Sequence, residues 1–359
     1  MLLGTMLSFS GYSLLLPVVP LWVVRQGAGE FAAGASTGVF MGATVAAQLV
    51  VPALVRSLGY RWVTALGAVL LGAPAPLLVL ATDSQWILAL SLVRGLGFGL
   101  LTVCGSALIA KLLPPDALAR GAGLYGLAVG IPQLVFLPLG TWVATHWGFT
   151  PVFVCAAVLP IVALLPILLL PKTVPDNDVR TKVMSTVDKT WRPWLVMIGG
   201  SVGFGALVTF VPIVLAAHAA IALLAVTATT LLGRWVAGHV SDRVRGPGRM
   251  LPVSLGTVAL GLALFAFGTE TPALAVVAVA LFGIGFGVVQ NDSLVAMFVR
   301  APAAQASVAW NVAFDAGQGL GAVAVGTAVA GIGYVGAFGL LAGFAVALLP
   351  IARHAGRSG

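Results

Sequence analysis

Long apolar segments separated by short polar connections occupy almost the whole chain. Each segment reaches about 20 residues, the length that an α-helix needs to cross a bilayer at about 1.5 Å per residue. Such a segment begins about every 30 residues, so the pattern predicts about twelve membrane-spanning helices joined by short loops. The segments are continuous, whereas a β-barrel would show short stretches of alternating polarity. The pattern therefore predicts an all-α, polytopic membrane protein.

The predicted helices fall into two sets of six. A long polar stretch, residues 171–192, separates the two sets and predicts a solvated linker. The chain would then consist of an N-terminal half (1–170), the linker, and a C-terminal half (193–359). The predicted bounds of the helices are 2–24, 31–55, 62–80, 85–109, 121–144, 150–170, 193–215, 219–240, 250–267, 272–299, 303–330 and 334–351.

Short sequence repeats indicate that the two halves are related. Leu96-Gly-Phe-Gly-Leu100 in the fourth predicted helix is matched by Ile284-Gly-Phe-Gly-Val288 in the tenth. Val19-Pro20 in the first helix is matched by Val211-Pro212 in the seventh. We therefore predict two pseudo-symmetric halves of six helices each. Pro17 and Pro20 predict a kink near the end of the first helix.

Composition and charge placement narrow the class further. Apolar residues make up 60% of the chain and charged residues 8%, and the mean hydropathy is +1.10, so a soluble fold could not cover its surface. The net charge of +8 does not indicate nucleic acid, because fifteen of the 18 basic residues fall in alternate connections or at the C-terminus, and Arg25 is the only one assigned to an outer loop. The positive-inside rule then predicts that both termini are cytoplasmic. The Ala-, Gly- and Arg-rich composition favours the inner membrane of a bacterium.

The sequence contains no pattern typical of an enzyme or a cofactor site. Gly95-Leu-Gly-Phe-Gly99 has the glycines of a phosphate loop but no following Lys-Ser/Thr pair, and it lies inside a predicted helix. No two histidines have the spacing of metal ligands. We therefore expect no catalytic residue, no metal and no cofactor.

Polar side chains inside the predicted helices are the candidates for function, because a membrane charge is costly unless it faces protein or water. Asp315 lies near the middle of the eleventh helix, and Asn311 and Gln318 share its face at spacings of four and three residues. A carboxylate at this depth can bind a proton and couple its movement to that of a substrate. A structural carboxylate, paired with one of these amides or with a basic residue, is the alternative.

A second polar group lies in the tenth helix, as the consecutive residues Gln290, Asn291, Asp292 and Ser293. Asp292 is about two turns from the predicted cytoplasmic end. It either takes part in transport or holds an inner gate or a helix contact. Three aromatic residues within the membrane either line a substrate cavity or pack in the core: Tyr12, Tyr125 and Trp310.

The connection after the eighth helix contains Gly238, Asp242 and Arg243 at spacings of four residues and one residue. This pattern resembles the signature loop Gly-x-Leu-x-Asp-Arg-x-Gly-Arg-Arg of the major facilitator superfamily of transporters. The first half carries Arg56 at the place of the acidic residue of this signature. The resemblance extends over the whole chain, and it implies the two-half fold of this superfamily and an inner-gate role for the loop. The residues that fit are Gly238, Asp242 and Arg243 in the second half, and Gly59 and Arg61 in the first.

Two further motifs resemble those of proton antiporters in the same superfamily. Leu90 and Arg94 fit the fourth-helix pattern Leu-x-x-x-Arg, which implies a role for the arginine in proton coupling; a counter-ion for a distant aspartate is the alternative. Gly126, Gly130 and Pro132 resemble the fifth-helix signature Gly-x-x-x-Gly-Pro, with one residue inserted. Close helix packing with a proline kink explains these three residues equally well.

These motifs favour a secondary active transporter that exports a small amphipathic drug or metabolite in exchange for protons, by alternating access. Uptake of a metabolite such as a sugar or an organic acid is the first alternative. A membrane sensor or scaffold that transports nothing is the second. We expect a monomer whose partners are a small-molecule substrate, the proton and the lipid bilayer.

Overall fold

The computed structural model describes residues 1–112, 118–171, 183–240 and 246–356. In these ranges the chain is almost entirely helical and contains no β-strand. Ten helical runs in the described part are long and apolar enough to cross a membrane. The prediction of an all-α, polytopic protein is confirmed.

The chain begins with two short helices in place of the single predicted one. α1 (Leu2–Leu15) ends just before Pro17, and α2 (Val18–Arg25) begins just after it. Proline lacks an N–H group and its ring clashes with the preceding turn, which explains the break where the sequence predicts a kink. The helices that follow are α3 (Glu30–Gly72), α4 (Ser84–Leu112), α5 (Leu118–His146), α6 (Phe149–Val162) and α7 (Leu164–Leu168).

The helix α8 (Val183–Val214) begins before its predicted start at residue 193, but its backbone leaves the helical conformation at Thr190 (φ −121°, ψ 15°), so the span itself starts close to the predicted position. Thr190 Oγ1 donates to the carbonyl oxygen of Thr186 (2.7 Å), and Thr186 Oγ1 donates to Gln305 Oε1 (3.2 Å). Part of the stretch whose composition predicts a linker is therefore helical and hydrogen-bonded to Gln305. Residues 172–182 of the predicted linker lie outside the described residues. The remaining helices are α9 (Ala219–Val240), α10 (Leu251–Gly268), α11 (Pro272–Phe298), α12 (Ala303–Ala347) and α13 (Leu349–Ala355).

Two helical runs are long enough to cross the bilayer twice. Glu30–Val79 contains 50 residues and Gln305–Ala355 contains 51. Each would measure about 75 Å at 1.5 Å per residue, against a hydrocarbon core of about 30 Å. α3 breaks at Gly59 (φ 78°) and α12 at Gly333 (φ 64°), a conformation that glycine adopts without strain. Each run is therefore two spans, and the described chain contains the predicted twelve.

Residue contacts divide the chain into two compact units. The first unit comprises Met1–Gln26 and Val39–Thr181, and the second comprises Gly27–Gly38 and Lys182–Gly359. The first turns of α3 therefore belong to the second unit, an exchange that the sequence repeats do not predict. Within that unit, Gly34 lies against the Ala322 carbonyl group, and Thr37 Oγ1 is 3.1 Å from Thr209 Oγ1.

In the first unit, the repeated glycines allow α4 to pack against two neighbouring segments at backbone distance. Gly99 leaves no room for a side chain against the carbonyl group of Thr44, which lies before the break in α3. A Cβ atom on Gly97 would lie 2.6 Å from the carbonyl oxygen of Gly67, which lies after that break. Small residues at such positions let membrane helices approach closely.

The second unit repeats this arrangement around α11. Gly287 lies against the carbonyl group of Thr230 on α9, and a Cβ atom on Gly285 would lie 2.7 Å from the Ser254 carbonyl oxygen on α10. The phenylalanine between each pair of glycines stacks on an aromatic ring of the first helix of its own unit. The stacked pairs, with the distances between ring centroids, are Phe98–Tyr12 (3.9 Å) and Phe286–Phe204 (5.1 Å).

We predict that Gly287→Ala destabilises the protein by about 1–3 kcal/mol, because the new methyl group must displace the backbone of α9. Thermal unfolding of the purified protein in detergent measures the effect. Gly256→Ala on α10 is the matched control, since no atom of the described residues lies within 4 Å of its Cβ position. Equal unfolding midpoints for the two variants would contradict the proposed packing constraint.

Candidate functional site

Asp315 and Gln318 lie together on the buried side of α12. Asp315 is 3% exposed and Gln318 is fully buried. Gln318 Nε2 donates to Asp315 Oδ1 over 3.5 Å, whereas the buried Oε1 atom of Gln318 has no hydrogen-bond partner among the described residues. Gly205 of α8 lies against the backbone of Gln318, so α8 covers this part of α12 at close range.

Asn311, which the sequence places on the same helical face, is in a different environment. Its side chain is partly exposed, and no described residue is hydrogen-bonded to it. The neighbouring Trp310 stacks on Phe314, with 5.5 Å between ring centroids and 15° between ring planes. Trp310 Nε1 donates to Ser293 Oγ on α11 over 3.0 Å. The polar residues on this face of α12 therefore differ in burial: Asp315 and Gln318 are enclosed, whereas Asn311 is partly exposed.

The Trp310–Phe314 stack continues into an aromatic cluster in the core of the second unit. Phe314 lies 6.1 Å, between ring centroids, from both Phe204 of α8 and Phe286 of α11. Phe286 also contacts Phe282, at 5.5 Å. Phe204, Phe282 and Phe286 are buried. Trp310 and Phe314 are partly exposed at the edge of the cluster. Buried rings thus support an accessible aromatic pair.

Asp292 ties the end of α11 to the turn that precedes α10. Its Oδ1 atom accepts the backbone N–H of Gly248 (2.8 Å), and its Oδ2 atom accepts that of Met250 (2.9 Å). The side chain is 1% exposed. Gly248 has φ +81°, so the turn requires glycine at this position. The carboxylate therefore satisfies backbone donors at the start of α10, a structural role in this conformation.

The other members of the polar tetrad point to different neighbours. Gln290 Oε1 accepts a hydrogen bond from Arg234 Nη1 of α9 over 3.0 Å. Asn291 is partly exposed and has no hydrogen bond to a described residue. Ser293 is buried and accepts the indole N–H of Trp310. Three of the four side chains thus join α11 to α9, to α12 and to the turn before α10.

Arg94 is buried in the first unit without a bound carboxylate among the described residues. Its Nε atom donates to the Leu71 carbonyl oxygen over 3.3 Å, and its Cζ atom lies 5.5 Å from the centroid of the Phe40 ring. The positive charge is therefore balanced by a carbonyl dipole and by the face of an aromatic ring. The counter-ion that the sequence allows for is not found in this part of the chain.

The predicted inner-gate residues are described only in part. Asp242 and Arg243 lie outside the described residues. Gly238 is exposed on α9, and no described atom lies within 4 Å of its Cβ position. Gly59 supplies the break in α3. Arg61 lies 5.7 Å above the Trp62 ring, and its buried Nε atom has no partner in the described chain.

The antiporter-like residues lie on α5, which continues as a helix through Pro132. No described atom lies within 4 Å of the Cβ position of Gly126, whereas a Cβ atom on Gly140 would lie 2.5 Å from the Leu14 carbonyl oxygen. Close helix packing therefore occurs at Gly140 and not at Gly126. Gly126 and Gly130 are both partly exposed.

The structure adds one residue that the sequence analysis did not select. Gln133 of α5 is partly exposed and has no hydrogen bond to a described residue. At about 100° per residue it lies on the side opposite Leu124, whose side chain is 44% exposed. It therefore points away from the exposed apolar side of its helix. The sequence could have identified Gln133, because it is an isolated amide in an apolar segment.

We predict that Asp292→Ala destabilises the protein by about 2–3 kcal/mol, because two backbone donors lose a charged acceptor. Asp292→Asn should cost less, since one acceptor oxygen remains. Thermal unfolding in detergent measures both effects. Asn291→Ala is the matched control on the adjacent position. A loss of transport by Asp292→Ala with unchanged stability would contradict the structural role.

Comparisons with known proteins agree with this architecture. The sequence model of the Major Facilitator Superfamily matches residues 1–322. No curated protein sequence matches the chain significantly. Three solved structures share its fold at low sequence identity. A bacterial homologue of the human lysosomal transporter Spinster has a TM-score of 0.75 and 17% identity, and the match covers 99% of this chain and 93% of that one. The nucleoside transporter NupG has a TM-score of 0.74 and 17% identity over 100% of this chain and 98% of that one, and the human organic anion transporter MFSD10 has a TM-score of 0.68 and 16% identity over 98% and 97%. The chain therefore belongs to the Major Facilitator Superfamily and is a multi-pass membrane transporter, not an enzyme.

Proposed function

We propose that the protein is a proton-coupled exporter of a small amphipathic compound. The observation that carries this proposal is the Asp315–Gln318 pair, buried within a membrane span of the second unit. Ionisable groups at this depth are costly and are found mostly where ions or substrates move. A carboxylate that binds and releases a proton gives the transport cycle two states of different charge.

The amide of Gln318 can serve both protonation states of Asp315. The hydrogen bond from Nε2 to Asp315 Oδ1 suits the charged state, in which the carboxylate acts only as an acceptor. In the protonated state, the carboxyl group becomes a donor, and the Oε1 atom, which has no partner among the described residues, supplies an acceptor after rotation of the amide. The amide can therefore offer Asp315 either a donor or an acceptor, whichever its protonation state requires.

The direction of transport is inferred from the antiporter-like motif of α5, and the experiment below distinguishes export from uptake. The accessible glycines of α5 support export, because Gly126 is not explained by close packing and its motif resembles that of antiporters. Uptake would appear as proton movement in the same direction as the substrate. Arg94 is the second candidate for coupling, since it is buried and binds no described carboxylate.

We predict that Asp315→Asn abolishes proton-coupled transport, because the amide cannot carry the proton. The measurement uses everted vesicles with an acidic interior, a pH-sensitive dye and a panel of drugs and metabolites. A transported compound should discharge the gradient in vesicles with the native protein, while the variant should match vesicles that lack the protein.

Asp315→Glu is the control, because it keeps an ionisable group one methylene further from the backbone and should retain part of the activity. Asp315→Asn vesicles that still discharge the gradient at the native rate would remove this residue from the mechanism. Discharge of the gradient by a compound loaded inside the vesicles, with substrate and proton leaving together, would establish uptake.

A further inference from the structure

We infer that Trp310, Asn311 and Phe314 form a substrate-contact surface on α12, and that the moiety bound there is an uncharged planar aromatic ring with a hydrogen-bonding group. This inference rests on the proposed transport function and specifies its substrate class. It uses residues of the second unit only.

The first step concerns the surroundings of Asn311. It lies within a membrane span, Gln305–Ala355, its side chain is partly exposed, and no described residue is hydrogen-bonded to it. An amide that faces hydrocarbon without a partner is strongly disfavoured. The exposed part of the side chain therefore faces water or a polar ligand and not lipid.

The second step distinguishes this surface from the lipid-facing side of the same helix. Leu320 is 58% exposed and follows Asn311 by nine positions. At about 100° per residue, the two side chains lie on opposite sides of α12. Phe314 and Trp310 lie within about 100° of Asn311 on the same scale. The helix thus has an apolar exposed side and a separate, mixed aromatic and polar one.

The third step is the rigidity of the aromatic pair. The Trp310 indole is fixed by its hydrogen bond to Ser293 and by stacking on Phe314. Phe314 is held in turn by the buried rings of Phe204 and Phe286. A ring that stacks on this pair therefore meets a surface that is already ordered, which lowers the entropy lost on binding.

The fourth step defines the polar group of the ligand. The N–H of Trp310 is already used by Ser293, so Asn311 supplies the available hydrogen bonds, with one acceptor oxygen and two donor hydrogens. A lactam, or a ring nitrogen beside an amino or hydroxyl group, matches this donor–acceptor pair. Trp310, Asn311 and Phe314 carry no charge, and Asp315, one turn further along the same helical face as Asn311, is buried.

The test measures binding to the full-length protein in lipid nanodiscs. The probes are neutral aromatic lactams such as radiolabelled isoquinolinone, each paired with its fully hydrogenated analogue, which keeps the amide but loses the planar ring. We expect the native protein to bind the aromatic member at least about tenfold more tightly, the scale of one stacking interaction.

Asn311→Leu and Trp310→Leu should each weaken binding of the aromatic probe by about tenfold or more. Trp310→Phe, which keeps a stacking face, should restore most of the binding, and Leu320→Ala on the opposite side should leave it unchanged. Thermal unfolding of each variant shows whether it is folded. Equal binding of both probe members, or native-like binding by the two leucine variants, would overturn the inference.

The same variants in everted vesicles separate this inference from the proposed function. Gradient discharge that persists unchanged in Asn311→Leu, for every compound that the native protein transports, would overturn the contact surface and leave proton-coupled export intact. A native protein that discharges the gradient with no compound would instead count against the proposed function. Native protein that transports only non-aromatic compounds would overturn the substrate class.

Discussion

Close contact between helix backbones at the repeated glycines is the constraint on which both units depend. Lipid tails are as apolar as the side chains they replace, so membrane helices associate through van der Waals contact and hydrogen bonds and not through hydrophobic burial. Gly97 and Gly99 on α4, and Gly285 and Gly287 on α11, provide this contact with two neighbours each. The phenylalanine between each pair is thereby fixed against the first helix of its unit.

The position of α11 then determines the polar contacts of the second unit. With its glycines held, the following turns direct Gln290 to Arg234, Asp292 to the backbone before α10, and Ser293 to Trp310. Each contact satisfies a polar group that would be costly in lipid. Together they connect the aromatic cluster to the turn of residues 246–250, so a shift of α11 would be felt at both places.

The polar residues of α12 fall into two chemical environments that suit two tasks. Asp315 and Gln318 are enclosed by protein, which suits the proton exchange proposed for this pair. Asn311 and the Trp310–Phe314 pair remain accessible and can contact a solute. Their closeness on one helix offers a short path by which protonation and substrate binding could influence each other, as a coupled transporter requires.

The sequence by itself determined the membrane class, the twelve spans and the internal repeat, because span length and hydropathy are set by the bilayer and not by tertiary contacts. It also selected Asp315, Asn311 and Gln318, since polar residues are rare in such spans. Only the tertiary structure decided that Asp292 binds backbone donors, that Asn311 is partly exposed while Asp315 is buried, and that the first turns of α3 join the second unit. On a helix that is apolar all round, periodicity does not show which neighbour covers each side, so packing alone makes that choice.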